Sequence, residues 1–158
     1  MSCLIVYSLI ATAVMVGDQK IEGSSVLIST GPWAGVTLAK VGVRLPMSGM
    51  RSTSVVFKNV SGVEEDPFAL FCGEDVNDCH LEVYPRPGKE GEVYLCGCGG
   101  SEAVQERHLR EGGKYDTAEK VVPKKDRAEA ASKSFTTMLG LPVTTPSSSQ
   151  VCTLFYTV

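Results

Sequence analysis

Basic residues are too few and too scattered here to hold a polyanion. Fifteen Lys and Arg stand against eighteen Asp and Glu, a net charge of −3 over 158 residues. The nearest thing to a basic patch, Lys124-Lys125-Asp126-Arg127, reads as a solvated helix start. Nucleic acid is therefore not an expected partner. Long apolar runs are also missing. Met1–Val16 is almost wholly apolar, yet it falls short of the roughly 20 residues that a membrane helix needs. No Lys or Arg precedes it, so the cationic region of a signal peptide is absent. Six cysteines are too sparse for a disulfide scaffold.

What is present is ordinary globular material. At 43% hydrophobic and 21% charged, the chain can bury a core and is not a disordered tail. Several origins compete for Met1–Val16: a secretory signal ending near Ala11-Thr-Ala13, a short membrane segment, a buried strand or helix feeding the next hairpin, or a wrongly assigned first exon. The hairpin reading gains from Val14-Met-Val-Gly-Asp-Gln-Lys-Ile-Glu-Gly23, which places two short runs around Gly17-Asp18 and a second turn at Gly23. Asn59-Val-Ser61 matches a glycosylation acceptor, which matters only in a secreted chain.

The rest is organised around Ser24–Gly35. Val26-Leu27-Ile28 is β-branched and apolar and predicts a buried strand. Gly31-Pro32 stops it, and Trp33–Lys40 can wind as a short helix with Pro32 just ahead. Free backbone amides at such a break suit a polar or anionic ligand. Further on, Arg51–Phe57 predicts a strand with Thr53, Val55 and Phe57 on one face. Ala69–Cys72 predicts a short buried strand. His80–Arg86 alternates, with Leu81 and Val83 on one face and Glu82, Tyr84 and Arg86 on the other; Pro87–Gly91 is the turn and Val93–Gly97 returns. Asp126–Leu139 predicts a helix capped by Asp126, with Ala128, Ala131, Phe135 and Met138 inward and Gly140 and Pro142 ending it. The fold class that follows is α+β with an antiparallel sheet and packing helices.

Two constellations are set aside. Gly97-Cys-Gly-Gly-Ser-Glu102 departs from G-x-G-x-x-G at Glu102 and follows a hairpin arm, so it reads as a tight turn and not a nucleotide loop. Cys72, Cys79, Cys96 and Cys98 lack knuckle spacing. Cys96 and Cys98, read as one strand, share a face and would need two more ligands, with His80 a third candidate; no metal is expected. His108 reads as a surface histidine.

Val-Leu-Ile-Ser-Thr-Gly-Pro-Trp-Ala34 resembles the V-V-x-A-T-G-x-W-S segment of FAD-dependent oxidoreductases of the D-amino-acid oxidase, glycine oxidase and sarcosine oxidase group. Glu82–Pro87 followed by Glu92–Gly97 is similar to that family's Y-x-x-P-R-x-D-G-x-x-x-x-G hairpin. The likeness runs roughly from Val14 to Leu139. It implies a partial FAD-binding segment over 1–45, a substrate-binding sheet and helix over 46–140, and a divergent tail over 141–158. It also implies FAD contacts at Thr30, Gly31, Pro32 and Trp33, and substrate-side roles for Arg51, Tyr84 and Arg86. The substrate would be a small amine or amino acid, and the compartment cytoplasmic. The family's dinucleotide fingerprint finds no match in these residues, which implies a truncated chain that is inactive alone. The competing reading is a non-enzymatic α+β interaction module of a secreted protein.

Overall fold

The computed structural model describes residues 2–7, 10–86, 88, 91–140 and 146–157. They are α+β, with antiparallel sheets and three α-helices. The chain packs as two compact units, Met1–Ser48 with Gln105–Asp116 and Phe155–Val158, and Gly49–Val104 with Thr117–Leu154.

In the first unit, the apolar N-terminus forms strands. β1 (Ser2–Tyr7), β2 (Ile10–Val16) and β3 (Gln19–Glu22) make an antiparallel meander. Gly17, at φ 60, takes the first central position of the two-residue β2–β3 turn, where a glycine gives the twist that paired strands need. The expected buried strand at Val26–Ile28 does not form: the segment is unpaired and Leu27 is 90% exposed. Apolar β-branched residues favour a strand only where a neighbour supplies pairing and cover, and no described strand does so. Gly31–Trp33 is a single 3-10 turn with Pro32 in its first positions, running directly into α1 (Ala34–Ala39). α2 (Glu106–Leu109) lies against α1. His108 is more than a surface residue, since its Nδ1 accepts from the Gln105 amide at 3.2 Å and closes the start of α2.

The second unit is built on β4 (Met47–Phe57). It adds β5 (Leu70–Phe71), β6 (Glu82–Pro85), β7 (Val93–Cys96) and β8 (Glu102–Val104) in the order β5-β6-β7-β4-β8. α3 (Lys125–Leu139) covers one face, and β9 (Ser148–Thr157) also pairs with β4. Register follows the alternation: Tyr84 opposes Tyr94, and Val83 opposes Leu95. Pro87, Lys89 and Glu90 of the expected turn lie outside the described residues, as does Pro142.

The core joins Val55, Phe57, Val83, Leu95 and Leu81 to Ala128, Ala131 and Phe135. Phe57 and Phe135 meet with ring centroids 4.9 Å apart. Three expectations need correction. β5 is an exposed edge strand, not a buried one. Asp126 lies in the first turn of α3, not at its cap. The helix starts earlier because the Lys124 amide donates to Thr53 Oγ1 at 3.0 Å and so pins the chain to β4. Met138 is 41% exposed, off the end of the apolar face.

Gly140 does end α3 in the left-handed region, at φ 65. Phe135→Ala is expected to lower unfolding free energy by about 3–5 kcal/mol, and Met138→Ala by about 0.5 kcal/mol or less. Urea unfolding of both variants checks this, and comparable losses would contradict the assigned core.

Candidate functional site

Alternation puts Val83, Leu95 and Val55 toward α3, and Tyr84, Tyr94 and Val56 on the opposite face. That open face carries a row of aromatics. Tyr84 and Tyr94 lie 6.2 Å apart, and Phe71 meets Tyr84 edge-on at 5.9 Å. The Arg86 guanidinium sits 5.2 Å above the Tyr94 ring and pairs with Glu92 at 2.7 Å. Arg86 also lines a cleft of about 270 Å³ with Val63, Glu64, Pro67 and Pro85.

Glu82 is the acceptor that ties this face together. Its Oε2 takes the Tyr84 hydroxyl at 2.7 Å and the Cys96 thiol at 3.3 Å. The hydrogen bond to Glu82, then burial and the nearby negative charge, push the Tyr84 phenol up to about 12. The sequence placed Glu82 on this face, but not its hold on Tyr84. The 82/84 alternation was the available signal.

Arg51 is not brought to Tyr84 and Arg86. It shares the α3 side of β4 with Thr53 and Val55, and is only 8% exposed. Its guanidinium pairs with Glu102 at 3.0 Å and donates to the Val122 carbonyl. A substrate carboxylate at this position would have to displace Glu102.

Thr30, Gly31, Pro32 and Trp33 belong to the first unit. Thr30 and Gly31 are exposed, Gly31 has φ 52, and a Cβ there would meet nothing within 4 Å. The backbone is thus open to a close ligand at Gly31. Trp33 is fixed differently: its indole N–H donates to the Tyr115 carbonyl at 2.9 Å. It can wall a site but has no spare donor.

The glycine loop is filled by its own chain. A Cβ at Gly97 would fall 2.0 Å from the His80 carbonyl, and one at Gly99 2.0 Å from the Asp78 carbonyl. Such packing makes a turn and leaves no cradle for phosphate. Cys96 and Cys98 do not share a face. Cys96 reaches Glu82 on the open side, while Cys98 is buried in the core beside Cys79. Gly97, at φ 72, breaks the alternation between them. Burial pushes the Cys98 thiol up to about 12 and raises Cys79 as well, so both are poor thiolates. Among the described residues no group of three or more His, Cys, Asp or Glu could hold a metal ion.

A network absent from the sequence reading joins the β5–β6 loop to α3. Asp75 Oδ1 accepts the amides of Asn77 at 2.9 Å and Cys79 at 3.1 Å, and Asn77 Nδ2 donates to Ser134 Oγ at 3.0 Å. Arg127 donates to the carbonyls of Cys98 and Asn77, both at 2.8 Å. Its signal is long-range and invisible to periodicity. The loop and helix enclose a largely apolar cleft of about 390 Å³ that reaches Cys72, Val76 and Met138.

No family model, curated protein or solved structure matches the chain.

Two titrations follow from these contacts. Tyr84 should ionise late in an absorbance titration of the tyrosines, and Glu82→Gln should bring one phenol down toward 10; an unchanged curve would contradict the Glu82 contact. Burial raises the Asp75 carboxyl, but donors from Ser134, Asn77 and Cys79 outweigh it and lower it from 3.8 to about 2. A depressed carboxyl stabilises the fold above its unfolded value and loses that contribution as pH falls through the folded one. The urea midpoint should therefore drop between pH 3.8 and about 2, and drop less in Asp75→Asn.

Proposed function

We propose that this chain is the substrate-side part of an FAD-dependent oxidoreductase acting on a small amine or amino acid. The single observation that carries the reading is the open face of the β6–β7 hairpin, where Tyr84, Tyr94 and Arg86 stand together beside a small cleft. Amino-acid recognition needs a cation for the carboxylate and an aromatic or hydroxyl wall for the rest. Arg86 is 41% exposed at its side chain and bonds Glu92 through Nη1, so its other guanidinium donors can face a substrate carboxylate. Tyr84 stays protonated at neutral pH and offers a neutral wall. The Thr30–Trp33 turn fits a flavin at its open Gly31 backbone, and fits it less well at Trp33, whose donor is spent. In the intact enzyme a bound flavin would supply the redox chemistry, taking a hydride from the amine carbon and handing the electrons to oxygen.

Within this reading the chain works in the cytoplasm. The free Cys72, Cys79, Cys96 and Cys98 agree with a reducing compartment. Among the described residues no helix is long and apolar enough to cross a membrane.

The test is colour. Protein purified in the presence of FAD is expected to keep a flavin absorbance band through gel filtration, and an amino-acid ligand should shift that band without bleaching it, as befits a chain inactive alone. Arg86→Met is expected to weaken the substrate's effect by about tenfold or more while leaving the band intact. Colourless protein would contradict the reading and leave the interaction module in its place.

A further inference from the structure

The cleft between the β5–β6 loop and α3 is shaped to take a small molecule. It holds about 390 Å³ and is lined mostly by apolar surface with a few polar groups, the make-up of a ligand cavity. It lies on the α3 side of the sheet, away from Tyr84 and Tyr94. Buried Cys79 and Leu81 form its floor. Val76 stands on the loop rim and Met138 on the helix rim, 99% and 41% exposed. Apolar side chains left in water at the mouth of an apolar cleft gain cover when a ligand enters.

The walls are set before any ligand arrives. Asp75 accepts the amides of Asn77 and Cys79, and Asn77 ties the loop to Ser134 on α3. Arg127, near the start of the same helix, holds the carbonyls of Asn77 and Asp78. A wall already ordered costs little further ordering on binding.

Sulfur and charge together name the occupant. Cys72, Cys79 and Met138 all line the cleft, and Cys72 Sγ lies 3.6 Å from Met138 Sδ. Polarizable sulfur favours contact with aromatic rings. Lys133 lines the cleft one turn before Thr137 and Met138. Glu129, one turn before Lys133, pairs with Lys125 instead, and among the described residues the Lys133 ammonium has no partner. The acid of the cleft, Asp75, turns its oxygens to Asn77 and Cys79. We infer that this cleft binds a small planar aromatic molecule with one anionic group, its ring against Met138 and Leu81 and its charge at Lys133. The site is separate from the proposed flavin contact and does not depend on it.

The probe is anilinonaphthalene sulfonate, an aromatic anion whose fluorescence rises in apolar surroundings, with uncharged phenylnaphthylamine as control. Both are titrated into the whole chain. The sulfonate is expected to bind saturably to the folded protein and to shield Cys72 from alkylation, read by mass spectrometry of the Cys72 peptide. Lys133→Gln should weaken the sulfonate by about fivefold and leave phenylnaphthylamine unchanged. Thr137→Trp, at an exposed position of the cleft wall, should fill the space and abolish binding of both, with the circular dichroism spectrum unchanged. No saturable binding would overturn the proposal, as would binding that leaves Cys72 open to alkylation or that survives in folded Thr137→Trp. Equal loss of both probes in Lys133→Gln, or loss of neither, would overturn the assignment of an anionic ligand. Cys72 shielding is read on the unaltered chain, so the test stays decisive if Thr137→Trp fails to fold.

Discussion

The second unit depends on one contact, the meeting of Phe57 on β4 with Phe135 on α3 at 4.9 Å. β4 pairs with β7, β8 and β9, so whatever fixes β4 fixes the sheet. Fixing α3 against its Val55–Phe57 end closes that face of the sheet with Ala128, Ala131 and Phe135. The alternation of β6 and β7 then leaves Tyr84 and Tyr94 no choice of side. The chemistry-bearing face is thus a consequence of core packing on the other face. A one-residue slip in the β6–β7 register would exchange the tyrosines for Val83 and Leu95.

Polar contacts finish what the core begins. Arg127 enters from the first turns of α3 and binds carbonyls from both the 77–79 loop and Cys98. Asp75 and Asn77 reach Ser134 further along the same helix. These bonds hold a segment that has little regular structure of its own, and so carry the chain from β5 into β6. Half-buried Arg127 spends donors on backbone carbonyls, and buried Arg51 turns its two Nη atoms to Glu102 and the Val122 carbonyl, which lowers the desolvation cost of both. Charge in this unit serves architecture.

Much of this was legible in advance, and the reason is periodicity. His80–Arg86 alternates with period two around a glycine turn, so faces and partner could be read directly. α3 repeats its apolar residues at helical spacing and stops at Gly140. Failures came where a neighbour, and not the local pattern, decides. Val26–Ile28 has strand composition but no partner strand among the described residues, and Leu27 lies exposed. Ala69–Cys72 looked buried because it is apolar, yet its place at the sheet edge exposes Leu70 and Phe71. Cys96 and Cys98 were put on one face by counting through Gly97, whose left-handed backbone cancels the count. At the candidate site, Tyr84 and Arg86 were legible together because they are two apart in one alternating stretch, Tyr84 in β6 and Arg86 just past its end. Arg51 was grouped with them by resemblance, and strand parity sends it to the opposite side of the sheet.

The proposed flavin contact rests on the Thr30–Trp33 turn, and Trp33 is the one tryptophan in the chain. Its indole is anchored to the Tyr115 carbonyl, so its emission reports on that turn alone. Titrating FAD against the purified protein while following this fluorescence is the most direct measurement. Saturable quenching is the predicted result. Emission that stays constant, once the flavin's own absorption is corrected for, would contradict the account.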